Sequence, residues 1–192
     1  MSSTKDIVIS SEQPVSSTTI VNPTEKYANY SLPDSIKYAT VGRSLGNTIY
    51  YNYYMPSRHN GYISSVRFRL FTNWEGTASL YLFIIYAVLL DHTIVCRYAI
   101  NPQKNTTQWQ TFNIPSGALP IGSDEFLAVG MQDSSNTNQI YDVTPAVGMS
   151  GIKVTETTIK VDLYFYPNIA PALTYTVAYY EETTTMKSVA VH

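Results

Sequence analysis

The sequence is short of charge, of cysteine and of long apolar runs, and each shortage closes off a class of protein. Charged residues make up 14% of the 192-residue chain, well under the roughly 25% usual for soluble domains. Twelve bases and fourteen acids leave a net charge of −2, which offers no basic footprint for nucleic acid. Cys96 is the only cysteine, so no internal disulfide can form. The longest apolar run, residues 78–90, is interrupted by Ser79, Tyr81 and Tyr86. It falls short of the roughly 18 residues that a bilayer span requires, and no membrane span is expected. Residues 2–6 are polar and no apolar export core follows them, so an intracellular location is expected. Without export, the sequons Asn29-Tyr30-Ser31 and Asn105-Thr106-Thr107 carry little weight.

Catalytic and metal-binding patterns are also missing. His59, His92 and His192 are scattered, with no paired spacing for zinc. His59 and His92 both read as turn residues. Gly148-Met149-Ser150-Gly151 has the wrong spacing for a nucleophile elbow, and no phosphate-binding glycine loop occurs. Asp124-Glu125 resembles half of a glycosidase carboxylate pair, but its position suits a turn entering a strand. Asp133-Ser134-Ser135-Asn136-Thr137-Asn138 alternates oxygen ligands as calcium loops do, yet lacks the glycine and terminal glutamate of an EF-hand. It is read as a polar turn. No enzyme activity, cofactor or metal is expected.

What the chain has in abundance is hydroxyl groups: 41 serines and threonines and 17 tyrosines. The tyrosines crowd most densely in Ile49-Tyr50-Tyr51-Asn52-Tyr53-Tyr54. Tyrosine combines a stiff apolar face with one polar tip, which suits protein interfaces and sugar-stacking platforms alike. Hydroxyl-rich surfaces with few charges repel one another weakly, so copies can approach closely.

The hydrophobic pattern has period two nearly throughout. Val66, Phe68 and Leu70 alternate with Arg67 and Arg69. Asn73-Trp74-Glu75-Gly76 then reads as a hairpin turn. In residues 77–86, Ala78, Leu80, Leu82 and Ile84 lie on one face and Tyr81, Phe83 and Ile85 on the other. Both faces are apolar, so this strand is central and covered twice, or its second face meets another chain. Further strands are read at 49–55, 94–100, 108–114, 125–132, 147–154, 159–165 and 173–179. No segment keeps helical period for three turns. The expected fold is all-β: a single antiparallel β-sandwich, jelly-roll-like, of about eight to ten strands. It would span residues 46–192, behind a Ser/Thr/Pro-rich N-terminal extension, residues 1–45, docked on the domain or on a neighbour.

The segment 109–131, WQTFNIPSGALPIGSDEFLAVGM, resembles the paired strands of jelly-roll modules, in which a Pro-Leu-Pro type loop and a Gly-Asp-like turn precede an apolar strand. That resemblance bears on fold and not on activity. A capsid jelly roll that packages RNA would carry a basic arm, whereas Lys5 is the only basic residue in 1–21. In size, β-sandwich reading, tyrosine richness and single cysteine, the chain is similar to the octin type of self-assembling, crystal-forming jelly-roll protein. That likeness implies a dense intracellular body and no catalysis.

Two functions fit these features. The first is a structural protein that packs with copies of itself; the second is a carbohydrate-binding lectin or adhesin module. The candidate contact residues are Trp74, Trp109, Tyr51, Tyr53, Tyr164 and Tyr180, all assigned to outward faces or loop tips. Trp74 with Asn73 and Glu75 would form a sugar platform; alternatively, each tryptophan folds over an open end of the sandwich. Tyr98, Tyr175 and Tyr179 fall on inward faces. Cys96 points inward with Ile94, Tyr98 and Ile100, as a small buried hydrophobe or, in the sharper reading, an intermolecular disulfide.

Overall fold

A computed structural model describes residues 23–32, 37–74, 76, 79–88, 91–132, 138–144, 149–154, 159–166 and 169–181. Fourteen strands lie in these segments. They are β1 (Glu25–Tyr30), β2 (Lys37–Ser44), β3 (Thr48–Asn52), β4 (Gly61–Arg69), β5 (Leu80–Val88), β6 (Asp91–Ile100) and β7 (Trp109–Asn113), followed by β8 (Pro120–Ile121), β9 (Glu125–Gly130), β10 (Gln139–Thr144), β11 (Met149–Val154), β12 (Ile159–Tyr166), β13 (Ala170–Pro171) and β14 (Leu173–Tyr180). The number exceeds eight to ten because β8 and β13 are two-residue pieces and because short strands inserted between the main ones build a third sheet.

One sheet runs β1-β14-β4-β7, with β8 also beside β4; a second runs β12-β11-β3-β9-β5-β6; the third is β13-β10-β2. Every strand pairing is antiparallel. Take β1, β3, β4, β5, β6, β7, β9 and β14 as the principal strands, counted one to eight along the chain. The first sheet then reads 1-8-3-6 and the second contains 2-7-4-5. This is jelly-roll order, two Greek keys wound into facing sheets. Part of the N-terminal extension supplies the first principal strand, because β1 pairs along its length with β14.

Between the facing sheets lies the main core. Ile63, Val66 and Phe68 of β4 meet Leu80, Leu82 and Ile84 of β5 there, with Leu127, Val129, Tyr175 and Val177, all buried. Each large side chain removed from water contributes roughly 1.5–3 kcal/mol. The other face of the six-stranded sheet is not solvated either. Ile49, Tyr51, Phe83, Ile85, Ala128 and Ile152 form a second core upon it. Its edge strands β6 and β12 approach each other without pairing, so the sheet curls around this second core. The two apolar faces of β5 are thereby both covered within one chain.

The hairpin expected at Asn73–Gly76 is corrected. β4 pairs with β14 and β7, and β5 pairs with β9 and β6; the connection crosses from one sheet to the other. Turn residues signal a reversal but not which sheet receives the next strand. The strongest strand hairpin is instead β5–β6, paired from Leu80↔Ile100 to Val88↔Asp91. His92, expected in a turn, therefore opens β6 and is buried.

Gly130 sits where β9 passes between β3 and β5. A Cβ there would stand 2.4 Å from the Thr48 carbonyl oxygen and 2.8 Å from Ile49 Cα. Both are backbone atoms of a central strand and have little freedom to move. Gly130→Ala is expected to cost about 1–3 kcal/mol by overpacking, read as a lower midpoint in urea unfolding. An unchanged midpoint would show that β3 and β9 separate freely.

Candidate functional site

The tyrosine-rich run of residues 50–54 divides three ways. In β3, a strand flanked on both sides by β11 and β9, Tyr50 points into the main core and Tyr51 into the second. Burial pushes the Tyr50 phenol up to about 12. The Tyr51 hydroxyl lies 2.6 Å from Nε2 of buried His92, and its ring packs 4.9 Å from Phe126. Tyr51 is thus a core residue and not a contact residue. The alternation placed it on the second face correctly; the curl of the sheet, a long-range feature, is what removes that face from solvent.

After Tyr51 the chain turns on Asn52, which is itself buried. The Tyr54 amide donates to Asn52 Oδ1 at 3.2 Å and the Met55 amide to the Asn52 carbonyl at 3.1 Å. This local capture of the backbone is typical of Asn in turns. It throws Tyr53 and Tyr54 outward, 44% and 55% exposed. Tyr53 meets Tyr54 edge-on at 5.3 Å and Phe165 edge-on at 5.8 Å, and it stacks at 6.2 Å over Phe126. Phe165 is 47% exposed. Three large rings therefore form one solvent-facing aromatic rim backed by the second core.

Beside the rim is a cleft of about 410 Å³ between the end of β1 and the β3–β4 loop, with Asn29, Ser31, Asn52, Tyr54, Arg58 and His59 in its lining. Buried groups pin the loop. Tyr30 stacks on Tyr175 with centroids 4.5 Å apart. The Tyr175 hydroxyl donates to the Met55 carbonyl at 2.7 Å, and the Arg58 amide donates to the Tyr30 oxygen at 2.6 Å. Burial, then the neighbouring Tyr30, holds the Tyr175 phenol above its ordinary range. Ser57 is tied to β9 and its preceding turn: its amide donates to the Glu125 carbonyl and its carbonyl accepts from the Asp124 amide. The His59 ring stacks at 3.9 Å on Tyr179, so His59 is half-buried by an aromatic rather than merely solvated.

The remaining sequence candidates scatter. Trp74 is 3% exposed and packs in the main core, which corrects its assignment to a sugar platform; it folds over the sandwich instead, and Glu75 lies outside the described residues. Trp109 is half-buried beneath the Arg67 guanidinium, 4.9 Å from its ring. Tyr180 is exposed and belongs to a separate cluster, in which Tyr27, Tyr62 and Tyr180 hydroxyls all donate to the Glu25 carboxylate. These bonds, Tyr27 first, hold the Glu25 carboxyl below its usual range. Tyr164 lies on β12, and its side chain is outside the described set, as is the loop 133–137 once compared with calcium sites.

Cys96 is half-buried, with Sγ 3.6 Å from the Pro120 carbonyl; burial, then the Glu125 charge, pushes its thiol up. Asp124 adopts a left-handed turn conformation with φ of 67°, and Glu125 Oε2 accepts the Gly122 amide at 2.6 Å. That carboxylate serves the turn. Among the described residues no group of three His, Cys, Asp or Glu is placed to hold a metal ion.

The sequence reading missed Tyr30, Arg58 and Phe165. Asn29-Tyr30-Ser31 stood out only as a sequon. Nothing local marks Tyr30 as the partner of Tyr175, far along the chain.

The fold is an all-β sandwich of jelly-roll order with an exposed aromatic cluster and a polar cleft beside it. Comparison with protein-family models, curated proteins and solved structures finds no match for the chain.

Proposed function

We propose that this chain is a non-enzymatic structural protein that associates with copies of itself, and that the aromatic rim is its contact surface. The carrying observation is the cluster of three half-exposed rings in which Tyr53 contacts both Tyr54 and Phe165. Clustered aromatics of this kind anchor interfaces, because they bury large areas at little entropic cost. The low overall charge favours the same reading, since little repulsion opposes the approach of a second copy. Crystal formation of the octin type would be the most extended form of such association. Association would be non-covalent: a half-buried thiol held in its protonated form cross-links slowly.

Sedimentation velocity across a concentration series tests the proposal. The wild type is expected to associate as concentration rises, equally with and without reductant. Tyr53→Ser/Phe165→Ser is expected to weaken association at least about tenfold, the scale of a lost aromatic anchor. A 21.5 kDa monomer at every concentration, or an unaffected double variant, would sink it.

A further inference from the structure

We propose that the cleft beside the rim is a binding site for an acidic sugar, one carrying a carboxylate such as a uronic acid. This goes beyond self-association and stands without it. Three features carry the inference.

The first is preorganisation. The loop bearing Tyr54, Arg58 and His59 is held by the Tyr30–Tyr175 stack, by the Tyr175 hydroxyl on Met55 and by Tyr30 on the Arg58 amide. Tyr175 is set in the sandwich core and the partly buried Tyr30 packs against it, so a ligand would have little of the loop to order before binding.

The second is the chemistry of the wall. Tyr54 presents an exposed ring, the amphipathic surface on which a sugar's C–H face stacks. Ser31 and the Asn29 amide supply neutral polar groups beside it, suited to hydroxyls that both donate and accept, while the buried Asn52 side chain is engaged within the loop by the Tyr54 amide and Met55. A volume of about 410 Å³ lies within the range of small-molecule sites, roughly 300–1,000 Å³.

The third is charge. Among the described residues of the lining, Arg58 is the one arginine or lysine, and none is an aspartate or glutamate. Among the described residues the Arg58 side chain has no ion-pair partner. A guanidinium presents a planar fork of donors that matches a carboxylate in two parallel bonds. A neutral sugar would leave that fork to water; a uronate would engage it.

Calorimetric titration with digalacturonate and with neutral galactobiose tests the assignment, using the wild-type protein at a concentration below that at which it self-associates. Digalacturonate is expected to bind at least about tenfold more tightly than galactobiose, from the added charged hydrogen bonds. Arg58→Gln is expected to erase that preference, bringing digalacturonate binding down to the level of galactobiose. Tyr54→Ala, with an unchanged circular dichroism spectrum, is expected to weaken both sugars. Acetate or phosphate binding as tightly as digalacturonate would reduce the cleft to a simple anion site and overturn the sugar assignment. No heat with either sugar, or an Arg58→Gln variant that still prefers the uronate, would overturn the proposal outright. Self-association would survive any of these failures.

Discussion

Replacing Arg43 with methionine is expected to destabilise the fold by about 3–5 kcal/mol at neutral pH, the usual penalty for stranding one member of a buried ion pair. Arg43 on β2 donates from Nε to Asp142 Oδ2 on β10 at 2.7 Å, and its guanidinium lies 4.1 Å over the Tyr166 ring. Asp142 is 1% exposed, and its other oxygen, Oδ1, has no hydrogen-bond partner among the described residues. The carboxylate is thus already poorly compensated. Burial raises its pKa more than Arg43 lowers it. With methionine in place of Arg43, the buried carboxylate loses its one ion-pair partner among the described residues.

The pH dependence follows from the direction of that shift. A carboxyl whose folded pKa is raised binds its proton more tightly in the fold than in the unfolded chain. Its stabilising contribution is complete below the unfolded carboxylate value and is lost as pH rises through the folded value. Removing Arg43 raises the folded value further, so the deficit of Arg43→Met should shrink as the medium is acidified. Urea unfolding of wild type and variant at a series of pH values measures this directly. The double variant Arg43→Met/Asp142→Leu should recover most of the loss, since an apolar pair can replace a buried ion pair at little net cost. A variant within about 1 kcal/mol of wild type at neutral pH, where a stranded charge should be most damaging, would refute the account.

Phe83→Ala is expected to cost about 3–5 kcal/mol, as much as Phe68→Ala in the main core. In a plain two-layer sandwich Phe83 would sit on an outer face and its loss would be tolerated. Here it is fully buried in the second core, with Ile85, Tyr51 and Ala128 around it. Phe68 and Phe83 are both completely inaccessible to solvent. Equal losses, with the same dependence on urea concentration, would mean that both cores unfold together. A Phe83 deficit under about 1 kcal/mol would mean that the curled sheet opens freely on that side.

The second core was half legible beforehand. Residues 80–85 announce two apolar faces, and both are buried. Whether the second face would meet the same chain or another was open, because strand period reports which side a residue takes and not what lies across from it. Val66, Phe68 and Leu70 against Arg67 were legible for the same reason, and all took the expected sides. β1 was harder. Tyr27 and Asn29 face solvent at a sheet edge, so residues 25–30 lack the apolar contrast that marks a strand; pairing with β14 decides it. The cleft was invisible for a related reason: its rigidity comes from Tyr30 and Tyr175, and no local pattern joins them.

That same pairing bears on how the protein is made. Glu25 on β1 lies opposite Tyr180 on β14, 155 residues further along the chain. Among the described strands β1 pairs only with β14, so that partner is not available until nearly the last principal strand has left the ribosome. Until then it lacks its β14 partner and exposes its tyrosines, and that closure bears the full entropy of a very long loop. Refolding on the slow side of the range for small domains is the expected consequence, as is a need for protection during synthesis.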